Sequence, residues 1–575
     1  MPEPTAANPA EPATSAAPQA VPQAVAVPGA GGPRSFAFHA KVIGLITLGS
    51  RLLGLAREVV ASRFFGAGPA WSAFVFAFTV PNLFRKLLGE GALSAAFIPL
   101  YARSLKEDNP PEAAAFANAS VNLLGVILLA ITLVGEAGLI AAVLLFELRP
   151  DHLLGLKLTI VMLPYVMLVC GTAFLSAILQ VHDRFGVPAA TAVVSNLCLI
   201  AAMLLAAWRM DLSTEAARER AVYWLGVSVL VAGLLQIAML VPGLKACGYR
   251  FRLTAFWTPR VQRMLMMSIP VALGAGVLQL GVLLDKGISF FLAAAPGATH
   301  FTLLGQSISY PLYEGAAARL NWAQFMYQFP LGVFAIAIAT AIFPRLSRES
   351  ALVNAQVSDD FKTTLRQGVK AALFVGLPAS VGLVLVAEPA VRFMFEGGRF
   401  TPFDTEWTAR STALYSAAIW AFSLQQILNR AYYALHDMTT PLVWAVINLM
   451  ANLAIEIPLL WTPMRESGMA VATLAVFSVQ SAAMLWLLDR RLGGIGLRQA
   501  LGPIGKMVLA SGVMAGVLLA MRQLPVWPDE ATRHGSAIAL LVLMVLGGLT
   551  YAGACYALRV EAMRHVLPNR WRRRA

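Results

Sequence analysis

Apolar runs of about 20 residues, separated by short polar connections, recur from Lys41 to Arg559. Each is long enough to cross a hydrocarbon core of roughly 30 Å. Fourteen can be counted, at about 40–65, 70–103, 114–147, 155–181, 187–209, 219–244, 260–294, 316–346, 362–395, 406–435, 440–461, 467–489, 499–522 and 536–559. The pattern predicts an all-α polytopic membrane protein, since a β-barrel would show short alternating segments instead. Residues 1–38 lack this patterning. They are Ala- and Pro-rich with hardly any charge, a composition that predicts a disordered tail. No basic n-region leads into an apolar stretch, so the tail does not read as a secretory signal.

The runs repeat with an offset of about six. His182-Asp183, Pro188 and Asn196 around runs four and five are echoed by His436-Asp437, Pro441 and Asn448 around runs ten and eleven. A fainter echo links Phe97-Ile98-Pro99 with Ile342-Phe343-Pro344. An even offset gives both halves the same topology, so the expectation is two pseudo-symmetric six-helix lobes, 39–250 and 251–495, with a site between them. Helices thirteen and fourteen, within 496–560, stand outside the repeat.

Even parity puts both termini on one side, and the basic stretch within 561–575 assigns that side to the cytoplasm. Lys245, Arg250, Arg252, Arg260 and Arg263 after run six agree, as do Arg490, Arg491 and Arg498 after run twelve. The connection after run seven, from Pro296 to about Ala316, has no Lys or Arg and falls outside.

Composition sharpens the class. The chain is 58% hydrophobic and 13% charged, against about 25% charged in soluble domains. The net charge of +14 lies largely in loops and at the C-terminus, so it reads as a topology signal and not as a nucleic-acid surface. Cys170, Cys198, Cys247 and Cys555 are scattered without metal-ligand spacing and read as small core residues.

Charge inside the apolar runs carries the chemistry. Arg51, Arg57 and Arg85 lie within the first two runs. Each arginine facing lipid would cost on the order of 3 kcal/mol, and the three together roughly 9 kcal/mol. A water-filled, positive cavity relieves that cost and asks for an anionic cargo. Ser50 shares a helix face with Arg57, as Arg51 does with Glu58, while Arg51 and Arg57 are about 120° apart. Gly54 between them allows close packing or a bend. Pro81-Asn82 predicts a kink just before Arg85. Lys86 and Glu90 are four apart, a spacing that pairs them and leaves Arg85 for cargo. Guanidinium groups suit phosphate oxygens in bidentate geometry, which fits a phosphate or diphosphate. In the second half, Asp285-Lys286 sits mid-run. It reads either as a neutralised pair or as a coupling-cation or proton site, with Asp437 as its candidate partner. No phosphate-cradling loop, His-Glu-x-x-His motif or nucleophile elbow is present. The chain therefore reads as a transporter without a nucleotide site, not an enzyme, driven by Na+ or H+ coupling or by membrane potential.

The run Ser50-Arg51-x-x-Gly54-x-x-Arg57, with Phe65-Gly66-Ala67-Gly68, Pro81-Asn82-Leu83-x-Arg85, Glu90-Gly91-Ala92 and Phe97-x-Pro99, closely resembles the MurJ/MviN family. These are lipid II flippases of the multidrug/oligosaccharidyl-lipid/polysaccharide exporter superfamily. The resemblance extends over the fourteen-run layout, including Phe329-Pro330 and Phe343-Pro344. It implies a V-shaped pair of lobes around a cationic cavity, with the last two helices forming a groove for a polyprenyl tail. It further implies transfer of undecaprenyl-diphosphate-linked disaccharide-pentapeptide across a bacterial inner membrane for peptidoglycan and cell-wall biogenesis. Membrane lipids and cell-wall synthesis proteins are the expected partners. Arg51, Arg57, Arg85 and Glu90 fall on the family's cavity positions, and Asp285 and Asp437 near acidic positions that resemble a cation site.

The chain departs from the family where Gln324-Phe325 replaces the usual Asp-Arg shortly before the Phe-Pro of run eight. Ser72 stands where many members have aspartate, and the connection before run eight is unusually long. Lys286 or Arg319 is then expected to supply the missing charge, although Arg319 is six residues from Phe325 and off its face. The readings left open are a lipid II flippase, an exporter of another polyprenyl-diphosphate-linked oligosaccharide, and a non-transporting regulatory homologue.

Overall fold

The computed structural model describes residues 33–561 and 563, apart from 108, 109, 296, 304, 351, 354 and 355. Most of the N-terminal tail and nearly all of the basic C-terminal stretch therefore lie outside the described residues. Every one of the fourteen apolar runs is helical, either as one helix or as a broken one. The first half comprises α1 (Pro33–Phe65), α2 (Pro69–Phe84), a π-helical segment (Arg85–Ala92), α3 (Leu93–Glu107), α4 (Pro110–Leu145), α5 (Pro150–Met162), α6 (Tyr165–Val181), α7 (Gly186–Arg209) and α8 (Glu215–Ala246). The second opens with α9 (Pro259–Phe291) and the antiparallel hairpin β1 (His300–Leu303) and β2 (Gln306–Ser309). It continues with α10 (Ala316–Pro330), a second π-helical segment (Leu331–Ala335), α11 (Ile336–Glu349), α12 (Asp359–Phe395), α13 (Pro402–Ala417), α14 (Ile419–Ala434), α15 (Thr439–Leu460) and α16 (Ser467–Arg491). Helices α17 (Leu497–Arg522) and α18 (Arg533–Ala557) close the chain. Among the described residues nine helices are long and apolar enough to cross a membrane unaided, ten if the bent pair α5–α6 counts as one span. Helix α1 begins at Pro33, about seven residues before the run starting near 40, and inside the stretch read as a tail.

The breaks carry the internal symmetry. Runs two and eight each contain a π-helical segment, and runs four and ten each split in two. The split in run four bends by 44° after Met162, beside Pro164, whose missing N–H cannot continue the helix. The His-Asp turns also correspond, with a shift of one residue: Asp183 and His436 have φ of 58° and 59°. Both turns close with the same bond, Arg184 N–H to Leu179 O and Asp437 N–H to Tyr432 O, each 2.9 Å. The kink expected just before Arg85 instead lies beyond it. Helix α2 stays regular through Pro81 to Phe84, and the non-helical backbone is at Gly91 (φ −91°, ψ −115°). A Cβ there would stand 2.4 Å from the Lys86 carbonyl oxygen.

One core runs through α2 to α8 and takes in the end of α1 and parts of α9, α10, α12 and α13. A second joins α11, α12, α14 and α16 to α17 and α18. A third, smaller one joins the α9–α10 connection to α10, α13, α15 and α16. Helix α9 packs against the first π-segment, α3 and α2 as well as against α15, so it spans both halves. The halves meet tightly at one end. Ser62 donates to the Phe395 carbonyl at 3.1 Å, and the Arg399 N–H donates to the Arg63 carbonyl at 3.0 Å. Gly315, with φ of 79°, lies where a Cβ would be 1.6 Å from the Ala67 carbonyl oxygen. Only glycine allows both that conformation and that approach.

Candidate functional site

A cavity of about 340 Å³ lies between the halves, below the closed end. Helix α1 contributes Arg57 and Glu58, α2 Asn82, the first π-segment Arg85 and Lys86, α9 Lys286, and α10 Asn321 with Gln324 and Phe325. Among the described residues, four cationic side chains and one carboxylate thus line it. Arg57 is held in place by Asn196 Oδ1 at 3.2 Å and Glu58 Oε1 at 2.5 Å. Asn196 in turn donates to the Ser50 and Ala192 carbonyls at 3.2 and 3.1 Å. Gly54 faces the Asn196 amide, which a Cβ would meet at 3.8 Å, an ordinary van der Waals contact. Arg85 Nε donates to Asn82 Oδ1 at 3.3 Å. Lys286, 5% exposed, donates to Asn321 Oδ1 at 3.2 Å and lies in the field of both Glu58 and Lys86.

The sequence-derived candidates are only partly brought together. Arg57, Glu58, Asn82 and Arg85 converge, and Lys286 takes the place opposite them. Arg51 does not line this cavity. Its guanidinium reaches the Gly332 carbonyl of the second π-segment at 3.4 Å, because it points about 120° away from Arg57 on the same helix. Ser50 contributes its backbone carbonyl. The side chain of Glu90 lies outside the described residues, so its pairing with Lys86 is not assigned.

Arg319 is not the compensating charge. It is 1% exposed and is enclosed by Glu466 at 2.6 and 2.8 Å, Asp404 at 3.1 Å and the Glu314 carbonyl at 2.8 Å. Two carboxylates already satisfy its charge, so it ties α10 to α13 and α16. Gln324 and Phe325 do face the cavity, and Lys286 is the second-half cation nearest to them in the lining.

Asp437 is not the partner of Asp285. It caps a turn, accepting from the Thr440 N–H and hydroxyl at 2.9 and 2.7 Å and pairing with Arg491. Burial alone would raise its carboxyl, but the Thr440 bonds and the Arg491 guanidinium outweigh this and hold it below its ordinary value. Asp285 instead lines a small cavity of about 180 Å³ with Asn448, Asn452 and Thr473. It acts electrostatically on Glu456, which is fully buried and bonded to Asn452 Nδ2 at 2.9 Å. Glu456 Oε1 and Asn452 Oδ1 are buried with no hydrogen-bond partner among the described residues. Sequence reasoning passed over Glu456, although a carboxylate four residues after an asparagine inside an apolar run was a signal.

Beside the central cavity a larger chamber of about 660 Å³ extends into the first half, away from the closed end, as far as Gln180 and Phe185. Arg57, Asn82 and Arg85 line both. The described residues hold no group of three or more His, Cys, Asp and Glu arranged for a metal ion.

Two repeated helical bundles around a charged interior cavity define a polytopic membrane transporter. Solved structures of that class share the fold. A lipid II flippase MurJ in an inward closed conformation matches with TM-score 0.71 at 22% identity, covering 90% of this chain and 98% of that one. An inward-facing multidrug resistance MATE family transporter of the MOP superfamily matches with TM-score 0.59 at 14% identity, covering 79% and 98%. The family model described as lipid II flippase MurJ matches residues 61–528. The probable lipid II flippase MurJ of Rhizobium tropici is 31% identical over 487 residues, 83% of this chain and 85% of its own. That of Vibrio cholerae is 30% identical over 498 residues, 83% and 87%. The chain belongs to the MurJ family.

Proposed function

We propose that this protein moves lipid II, the undecaprenyl-diphosphate-linked peptidoglycan precursor, from the cytoplasmic to the outer leaflet of a bacterial inner membrane. The supporting observation is the cavity itself: among the described residues that line it, Arg57, Arg85, Lys86 and Lys286 converge from three elements with Glu58 as the one carboxylate. Guanidinium pairs match diphosphate oxygens, and a low-dielectric surround strengthens the attraction. With both termini in the cytoplasm, the closed end at Gly66 and Gly315 faces outward and the first-half chamber extends toward the cytoplasm. Cargo would load there, the closed contact would part as the lobes rock, and release would require weaker attraction in the outward state, since equal affinity shifts no equilibrium.

The reading extends to coupling. Asp285, Asn452, Glu456 and Thr473 would hold a small cation such as Na+, or a proton. The buried, partnerless Glu456 and Asn452 oxygens fit either. A bound monovalent cation would offset one of the two carboxylate charges beside the cavity and so bias the lobes.

Complementation tests the transport reading. In a bacterium depleted of its own lipid II flippase, wild type should restore growth, and Arg57→Ala and Arg85→Ala, present in the membrane at wild-type level, should not. A well-expressed wild type that fails to rescue would overturn it.

A further inference from the structure

The first-half chamber differs in chemistry from the cavity it adjoins. Among the described residues its charged lining is Arg57 and Arg85, and both sit at the mouth shared with the central cavity. Beyond them the polar lining consists of hydroxyls and amides, chiefly Thr172 and Ser176 on α6, Thr191 and Ser195 on α7, and Gln236 on α8. Among the described residues, no carboxylate and no lysine lines it. Its volume of about 660 Å³ falls within the roughly 300–1,000 Å³ of small-molecule sites.

Three of these side chains are more than nine-tenths buried and incompletely bonded. Thr172 and Ser176 are 5% and 7% exposed, and neither hydroxyl has a hydrogen-bond partner among the described residues. Gln236, 5% exposed, donates to the Thr191 carbonyl at 2.9 Å, but its Oε1 is without a partner. Buried polar groups are normally satisfied, so several in one wall mark a place where a ligand completes the bonding. Tyr165 links the two regions: it interacts with Ser195 and lies in the field of Arg85. With Phe78 and Phe185 it also gives the chamber flat apolar faces.

A wall of neutral donors and acceptors with interspersed aromatic faces suits a pyranose, which has hydroxyl and amide edges and apolar ring faces. It does not suit a peptide carboxylate, which would lose water without gaining a cation beyond the mouth. We propose that this chamber is a glycan subsite, in which Thr172, Ser176 and Gln236 hold the sugar adjoining the diphosphate while Arg57 and Arg85 hold the diphosphate at the mouth. The proposal rests on the reading of the cargo as a polyprenyl-diphosphate glycolipid. It makes the three residues specificity determinants, distinct from the cations that supply most of the affinity.

The experiment compares binding of two lipids to the purified full chain by native mass spectrometry. One is undecaprenyl diphosphate, and the other is undecaprenyl diphosphate carrying a GlcNAc-MurNAc disaccharide without peptide, its lactyl carboxyl capped as the primary amide so that the glycan is neutral. Wild type should bind the glycosylated lipid at least tenfold more tightly. Ser176→Ala combined with Gln236→Leu should remove that preference and leave affinity for undecaprenyl diphosphate unchanged, which also shows that the variant is folded. Arg57→Ala should weaken both. The subsite is overturned if wild type shows no preference for the disaccharide, if the double variant keeps it, or if the double variant weakens both lipids alike. Wild type that binds neither lipid overturns the cargo reading, and the subsite with it.

Discussion

Trp71 of α2 and Trp322 of α10 stack across the two halves, with ring centroids 6.3 Å apart and planes inclined by 10°. Trp71 is the third residue of α2 and Trp322 the seventh of α10, so the first segments of runs two and eight meet at this contact. Trp322 is fully buried and also packs against Phe395 and Phe400. Removing its ring should cost about 3–5 kcal/mol, the usual range for Trp→Ala in a core. Trp322→Ala should therefore melt well below wild type in detergent, and Trp322→Phe should recover most of the loss.

Gly315 tests the closed end directly. A side chain there must push away the Ala67 backbone, and its φ of 79° is itself unfavourable for a β-branched residue. Gly315→Val should hold the two halves apart at that end. Asn321→Cys, lining the cavity, should then react with a membrane-impermeant maleimide from the outer face. In the Gly315 background it should be protected.

Lys286 and Arg319 should separate cleanly into function and stability. Replacing Lys286 by Met removes one charge-assisted interaction from the cavity, worth about 1.5–3 kcal/mol. Transport should fall roughly 10- to 100-fold by the same free-energy conversion, with membrane expression retained. Lys286→Arg should keep part of the activity.

Arg319→Met instead leaves Glu466 and Asp404 buried and unpaired. Breaking a buried pair in this way costs about 3–5 kcal/mol. The expected outcome is a sharp loss of folded protein in the membrane, measured by size-exclusion profile and thermal melting. A stable variant with impaired lipid binding would contradict the structural role.

The long connection between α9 and α10 is clamped from both halves. Arg149 at the start of α5 donates to the Ala293 carbonyl at 2.9 Å and lies 4.4 Å from the Tyr310 ring centre. Arg465, between α15 and α16, donates to the Pro311 carbonyl at 2.9 Å and covers Tyr313 at 4.1 Å. Arg149→Ala should free the β1–β2 hairpin on the first-half side. Losing a hydrogen bond and a cation–π contact, together about 1–3 kcal/mol, should speed hydrogen exchange across residues 300–309 roughly 5- to 150-fold.

The apolar runs determined the class, the helical segments and the two-fold repeat, because water and lipid act on every residue independently of distant partners. Hydrophobic length is a local property. So is the cost of a charge within it, which is why Arg57, Arg85 and Lys286 were visible as functional candidates. The destination of each charge was not local. Arg51 and Arg57 lie six residues apart, yet one meets Gly332 and the other Asn196. Arg319 read as a free cation until α13 and the turn before α16 brought Asp404 and Glu466 around it. Asp437 looked like a partner for Asp285, but its own turn and Arg491 had claimed it, and Glu456 stood in its place. Pairing energy falls steeply with separation and with solvent access. Which carboxylate satisfies which cation is therefore decided only when the helices pack, and with it which cations remain to face a cargo.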